Sequence, residues 1–334
     1  MSTNYYKKRT LPFFDVYVDD GYTVAGPKEK DGKYGDCFDL TLTDDTFGEK
    51  TFEHAERKMF SHAIDGVISK ANLLTKDVDA IVGGDLLNQI VSCSFAARAV
   101  HTAYLGLYNA CATFCEALIV GGAMIGRGME NVVCVAGSHF STAERQYRYP
   151  LELGVLRSPV TQWTATGVGA TLLTSRKEGV AKITAATTGR VVDFGILDTN
   201  NMGAAMAPSA CDTICAFFED TGSNPDDFDA LFTGDLGKLG SEILYDLLAQ
   251  RGIDVCDRHV DCGATLFFDS QKTYQGASGA ACSALVFNSY VLSNFRRGKF
   301  KRILLAGTGA LMSPTTSFQG DSIPAITHLV EVRA

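Results

Sequence analysis

Val78–Leu86 reads VDAIVGGDL, and 150 residues later Phe228–Leu236 reads FDALFTGDL, matching Asp79 with Asp229, Ala80 with Ala230 and Gly84-Asp85-Leu86 with Gly234-Asp235-Leu236. Each stretch holds a short apolar run that leads into a Gly-Asp turn, the pattern of a strand buried on both faces. Upstream of each lies a helix-like segment, Thr51–Lys70 and roughly Met202–Thr221, followed by a polar turn ending in Lys76-Asp77 or Asp226-Asp227. Helix, turn and strand therefore occur twice, and a duplication of this kind decides the architecture before any motif is read.

Working outward, Asn131–Gly137 (NVVCVAG) lines up with Lys301–Gly307 (KRILLAG) at an offset of 170. A small-residue helix precedes each, Cys111–Arg127 and Gly279–Arg297, and their Ala, Gly, Cys and Ser content permits close backbone approach inside a core. The sequence predicts an α/β fold of two similar halves, 1–176 and 177–334, with mixed or mostly parallel sheets and two central buried helices facing each other.

Composition narrows the function. The 334 residues are 46% hydrophobic and 20% charged, enough for a sizeable core and far from a disordered composition. A formal net charge of -8 argues against a partner recognised through its phosphate backbone, so no nucleic acid is expected. Ten cysteines without a CxxC pair read as reduced thiols. Lys7, Lys8 and Arg9 precede only Leu11–Phe14 before Asp15, too short for a signal peptide. The uncharged run Thr273–Phe295 has the length of a membrane span but is studded with Gly, Ser, Asn and Gln, so a buried helix of a soluble protein is expected instead.

With Asn109-Ala110-Cys111-Ala112 at the first buried helix and GASGA (Gly276–Ala280) at the second, the duplication resembles the thiolase and ketoacyl synthase superfamily. Within it, AGPKEKDGKYGDCFDL from Ala25, TFGEKTFEHAERKM from Thr46, SHFSTAERQYRYP from Ser138 and TQWTATGVGA from Thr161 resemble the stage V sporulation protein AD family. The resemblance implies a thiolase-like αβαβα layered fold. It also implies a non-catalytic protein that binds dipicolinic acid and acts in its uptake into the developing spore or its release in germination. Implied with it are homodimerisation, other stage V sporulation A membrane proteins as partners, and a peripheral place at the inner spore membrane. No cofactor is expected, and Ca²⁺ enters only as the counter-ion of dipicolinate. The competing reading is a thioester-forming acyltransferase or condensing enzyme using Cys111.

Cys111 stands where superfamily enzymes carry their acylated thiol, and it reads otherwise as a small pocket-lining or core residue, with Thr273 also assigned to the ligand site. The resemblance places Thr273 where thiolases have a histidine, Leu305 where they have a second cysteine, and Gly234 near the ketoacyl synthase histidine, so no His or Cys fills the acid and base roles. His101, His259 and His328 are substitutes that no spacing places beside Cys111. For the ligand, His139 follows an apolar strand at the end where α/β crevices form. Arg145 and Arg148, interleaved with Tyr147 and Tyr149, offer guanidinium forks and rings suited to an aromatic dicarboxylate, or else structural salt bridges. The single tryptophan, Trp163, is either a pocket wall or a core residue. Asp85 and Asp235 are turn caps or Ca²⁺ ligands. Cys111 with Cys115, Cys211 with Cys215, and Cys256, His259 and Cys262 have weak metal-like spacings better read as buried side chains. The basic run Arg296–Arg302 is either a solvated turn or a patch for anionic lipid.

Overall fold

The computed structural model describes residues 8–147 and 157–334. It runs β1 (Thr10–Pro12), β2 (Tyr17–Ala25), α1 (Pro27–Lys30), β3 (Leu40–Thr41), α2 (Phe52–Lys70), β4 (Ala80–Gly84), α3 (Val91–Arg98), β5 (Ala103–Gly106), α4 (Thr113–Ile125) and β6 (Asn131–Ser138). There follow α5 (Phe140–Tyr147), β7 (Trp163–Thr164), β8 (Gly167–Thr174), β9 (Ala181–Thr187), α6 (Met202–Thr221), β10 (Ala230–Thr233), α7 (Gly237–Ala249), β11 (His259–Asp261), α8 (Cys262–Leu266) and β12 (Ala277–Ser278). The chain closes with α9 (Ala280–Val286), a π-helical turn at Phe287–Val291, α10 (Leu292–Arg296), β13 (Arg302–Ala310), α11 (Pro314–Gln319) and β14 (Ala325–Arg333).

The sheet repeats itself. Read inward from its two edges, the strand order is β5-β4-β6-β8-β2 and β11-β10-β13-β14-β9. In both halves the first two pairings are parallel and the next two antiparallel. The sheet is continuous rather than two separate ones, because β2 pairs with β9 at Tyr17↔Lys182 and Val18↔Ala181.

Alternation of side chains along the strands builds the layers. On β6, Val132, Cys134 and Ala136 enter the central core, whereas Val133 and Val135 enter the core under α2 and α3. On β13, Ile303 and Leu305 face the centre, and Leu304 and Ala306 face the core under α6 and α7. Both faces of each sheet half are thus covered, which is why these strands read as continuous apolar runs. Between the halves α4 packs on α9, with the Phe114 and Phe287 rings 5.6 Å apart.

Helix limits follow local chemistry. Thr51 caps α2 by accepting from His54 N at 3.2 Å, and Asn201 caps α6 by accepting from Ala204 N at 3.3 Å. The matched aspartates act alike: Asp79 Oδ2 accepts from Glu130 N at 2.6 Å and Asn131 N at 3.0 Å, and Asp229 Oδ2 accepts from Lys301 N at 2.6 Å and Arg302 N at 2.9 Å. This pairing corrects the offset of the second repeat. Glu130 answers to Lys301 and Asn131 to Arg302, an offset of 171, one residue from what matching VAG to LAG suggested.

Each aspartate fixes the start of a central strand, so Asp79→Ala and Asp229→Ala should each cost about 1–2 kcal/mol. The two losses should add, because the sites lie in different halves. Urea unfolding of the single and double variants checks this, and single variants as stable as the parent would refute it.

Candidate functional site around Cys111

Cys111 lies two residues before α4 rather than within it. The turn into the helix is tight: Ala110 adopts φ 50°, Ala112 N donates to Asn109 O at 3.0 Å, and Asn109 N donates to Thr113 Oγ1 at 3.0 Å. A narrow pocket opens there, lined by Leu86, Tyr108, Ala110, Cys111, Ala143, Tyr147, Thr164, Met202, Ser278, Gly279, Ala310 and Met312. None of these residues carries a formal charge. Tyr147 donates to Leu86 O at 2.7 Å, and its hydroxyl lies 2.6 Å from that of Tyr108, so the two phenols form one hydrogen-bonded wall.

The thiol has an acid–base neighbour that its place in the sequence does not announce. Cys111 hydrogen-bonds the carboxyl of Asp235, which is fully buried at the end of β10. The carboxyl also accepts from Thr308 Oγ1 at 2.8 Å and Gly279 N at 3.0 Å. Burial dominates these contacts and pushes its pKa up to about 7. Asp235 therefore does more than cap a turn: it joins Cys111, the start of α9 and β13. Its repeat counterpart Asp85 keeps the capping role, accepting from Leu87 N at 2.8 Å and Cys93 N at 2.7 Å. The doubled GDL was the signal, but the approach of Asp235 to Cys111 arises only when the sheet order brings β10 beside β13.

The other candidate histidines have structural partners or face solvent. His328 Nε2 lies 3.2 Å from Asn109 Nδ2, and its Nδ1 accepts from Gly189 N at 3.1 Å, so it braces the Cys111 turn from behind. Burial lowers its pKa to about 4 and keeps it neutral. His259 is held between Thr233 Oγ1 at 2.7 Å and Tyr245 Oη at 2.8 Å, both ring nitrogens engaged, which accounts for it without a metal. His101 is an exposed turn residue at φ 58°.

Most of the anticipated ligand residues lie outside this pocket. His139 is fully buried, with Nε2 2.7 Å from Asp45 O and Nδ1 accepting from Ser141 N at 3.1 Å, so it ties the Asp45 loop to α5. Burial holds its pKa down, and the neutral ring donates from Nε2. Arg145 turns outward on α5 and pairs with Glu53 at the surface. Arg148 and Tyr149 lie outside the described residues. Trp163 stacks on Phe140 at 3.9 Å, with Lys28 Nζ 4.3 Å and Arg157 4.9 Å from its ring. Thr273 is buried in a neighbouring cleft across the loop that ends at Gly279. Leu305 sits in the central core, where its carbonyl accepts from Cys115 Sγ at 3.3 Å. Of the residues anticipated for the ligand, Cys111 and Tyr147 line the pocket among those described.

A duplicated, five-layered α/β fold whose first central helix starts beside a buried cysteine defines a thiolase-like protein. OleA of Xanthomonas campestris has the same fold, with a TM-score of 0.61 at 15% identity over 97% of this chain and 99% of that one. So does 3-oxoacyl-[acyl-carrier-protein] synthase III of Aquifex aeolicus VF5, with a TM-score of 0.57 at 14% identity over 96% and 100% of the two chains. The family model for stage V sporulation protein AD matches residues 8–333, and the chain belongs to that family. It is 40% identical to stage V sporulation protein AD of Bacillus subtilis (strain 168) over 314 residues, 94% of this chain and 93% of that protein. A role in sporulation follows from the family. No helix among the described residues is long and apolar enough to cross a membrane.

Proposed function

We propose that the chain is a non-catalytic dipicolinic acid-binding protein of the sporulating cell, and that the Cys111 pocket takes the ligand. The observation that supports this most is the make-up of the pocket. Tyr108, Tyr147, Met202 and Met312 provide flat and apolar walls, Thr164 and Ser278 provide hydroxyls, and no described lining residue is a histidine. Such walls suit an aromatic ring carrying polar groups at its edge. Ca²⁺, on this reading, arrives with the ligand and is not held by the protein. Homodimerisation, peripheral attachment to the inner spore membrane and transfer to stage V sporulation A membrane proteins belong to the same proposal.

The Cys111–Asp235 contact favours a second reading. A carboxyl titrating at about 7 beside a thiol is matched to proton transfer near neutrality, so acyl transfer through Cys111 is the alternative. One set of measurements separates the two. Dipicolinate should give a saturable calorimetric signal and slow the iodoacetamide labelling of Cys111 at least about tenfold, with benzoate much weaker at both, as expected if losing one carboxylate contact costs about 1.4 kcal/mol. Intact mass should stay unchanged after exposure to an acyl-CoA. Absent heat and absent protection would sink the binding reading, and an acyl adduct lost in both Cys111→Ser and Asp235→Asn would establish the enzyme.

A further inference from the structure

Across the Thr273–Gly279 loop from Cys111 lies a second, open cleft of about 650 Å³, its mouth included. Its lining is of another character: Lys238 and Lys272 beside Phe267 and Tyr274, with Asp269 as the one carboxylate. Two more lysines stand at its rim. Lys28 Nζ donates to Gln271 O at 3.1 Å, and Lys33 is close enough for its field to act on Asp269. In a chain of net charge -8, the two lining lysines outnumber the one lining acid, so the wall of this cleft is locally basic.

The cations are placed by backbone that most residues avoid. Lys272 at φ 54° and Tyr274 at φ 56° are both left-handed, and they flank the buried Thr273. Side chains other than glycine, asparagine or aspartate hold that conformation only where their surroundings impose it, commonly at ligand sites. Lys238 already holds an anion there, Asp269 Oδ1 at 2.6 Å, although the Asp269 side chain is 89% exposed. An exposed carboxylate so held is easily displaced, since solvent screens surface ion pairs and leaves them weak.

We propose that this lysine cleft is a binding site for a compact small-molecule dianion, carboxylate or phosphate, separate from the Cys111 pocket, in which the ligand takes the place of the Asp269 carboxylate on Lys238 and engages Lys272. The site goes beyond the dipicolinate reading and stands without it.

The chain carries its own reporter. Trp163 is the single tryptophan, its backbone N–H donates to Gly276 O at 2.8 Å, and Lys28 lies over its ring while anchored at Gln271. Titrating the intact chain at mildly alkaline pH with inorganic phosphate, and separately with malonate, both dianions there, should change tryptophan emission saturably, and whichever binds more tightly identifies the phosphate or carboxylate source. Lys238→Gln and Lys272→Gln should each weaken binding about five- to tenfold, the scale of one exposed charge-assisted contact. Asp269→Asn should tighten it severalfold, because the internal competitor is gone. A purely structural role for these exposed side chains predicts no such gain, and melting temperatures of the three variants should match the parent. The proposal is overturned if neither anion gives a saturable signal, if both lysine variants bind like the parent, or if Asp269→Asn binds no more tightly. Cys111 labelling with and without dipicolinate in Lys238→Gln keeps the two sites apart: protection that persists there belongs to the Cys111 pocket, whatever becomes of the cleft.

Discussion

Gly169→Ala is expected to destabilise the protein by about 3 kcal/mol, and Gly169→Val to prevent folding, because overpacking a rigid core costs about 1–3 kcal/mol or more for each small group added. Gly169 lies on β8 in the middle of the sheet, where the central helix passes directly over it. A Cβ there would stand 2.5 Å from the Ala284 carbonyl oxygen and 2.6 Å from its carbon, main-chain atoms of α9 that cannot swing aside. Relief would require the helix to lift, opening the central core along α4 and α9. Gly126 is the control. It ends α4 with a φ of -62°, and a methyl group there would have its nearest neighbour 3.5 Å away, so Gly126→Ala should be neutral or slightly stabilising. Chemical unfolding of the pair decides the matter: equal effects from the two alanines would refute the claim that helix-to-sheet approach, rather than glycine itself, sets the cost.

The second large effect is electrostatic. Glu29 is 1% exposed; its Oε1 accepts from Thr166 N at 3.1 Å, while Oε2 finds no partner among the described residues. Burial pushes its pKa up to about 8. A carboxyl raised in the folded state contributes stability that is fully present below its unfolded pKa and lost as pH rises through the folded value. Asp235, at about 7, and Asp85, at about 6, carry the same sign. The protein should therefore weaken steadily from mildly acidic to mildly alkaline pH. Glu29→Gln removes the buried carboxyl that titrates highest of these three, so it should be more stable than the parent at alkaline pH by a few kcal/mol, since each tenfold change in proton affinity is worth about 1.4 kcal/mol, and about equal to it in acid. Urea midpoints across that range provide the check. A variant whose stability falls with pH as steeply as the parent's would show that Glu29 is not the buried titrating group.

The architecture was legible because its strands are covered on both faces. A strand such as Ala80–Gly84 must be largely apolar, so its copy at Ala230–Thr233 can be recognised by wording alone. The one-residue slip at Asn131 arose because β-strand wording tolerates a shift of register, whereas the Asp79 and Asp229 hydrogen bonds do not. The site was less legible. Cys111 announces itself at the start of a small-residue helix, but its partner Asp235 comes from a strand more than a hundred residues away and reads alone as an ordinary turn residue. His139 and Arg145 have the residue types and the strand-end position that ligand chemistry calls for. The direction of each side chain on α5 and its preceding turn, which sequence does not state, turned one into backbone anchorage and the other towards Glu53.

The central helices begin at Thr113 and Ala280, and two residues before each stand Cys111 and Ser278, both on the wall of one pocket. The pocket thus opens where the two central helices start, with the Cys111 sulfur on one half and the Ser278 hydroxyl at the matching place on the other. Its two walls have diverged further, with the Tyr108 and Tyr147 rings on the first half and Met202 and Met312 on the second. A molecule whose own two ends are alike can enter such a hollow without having to choose an orientation, so half of its encounters are not wasted.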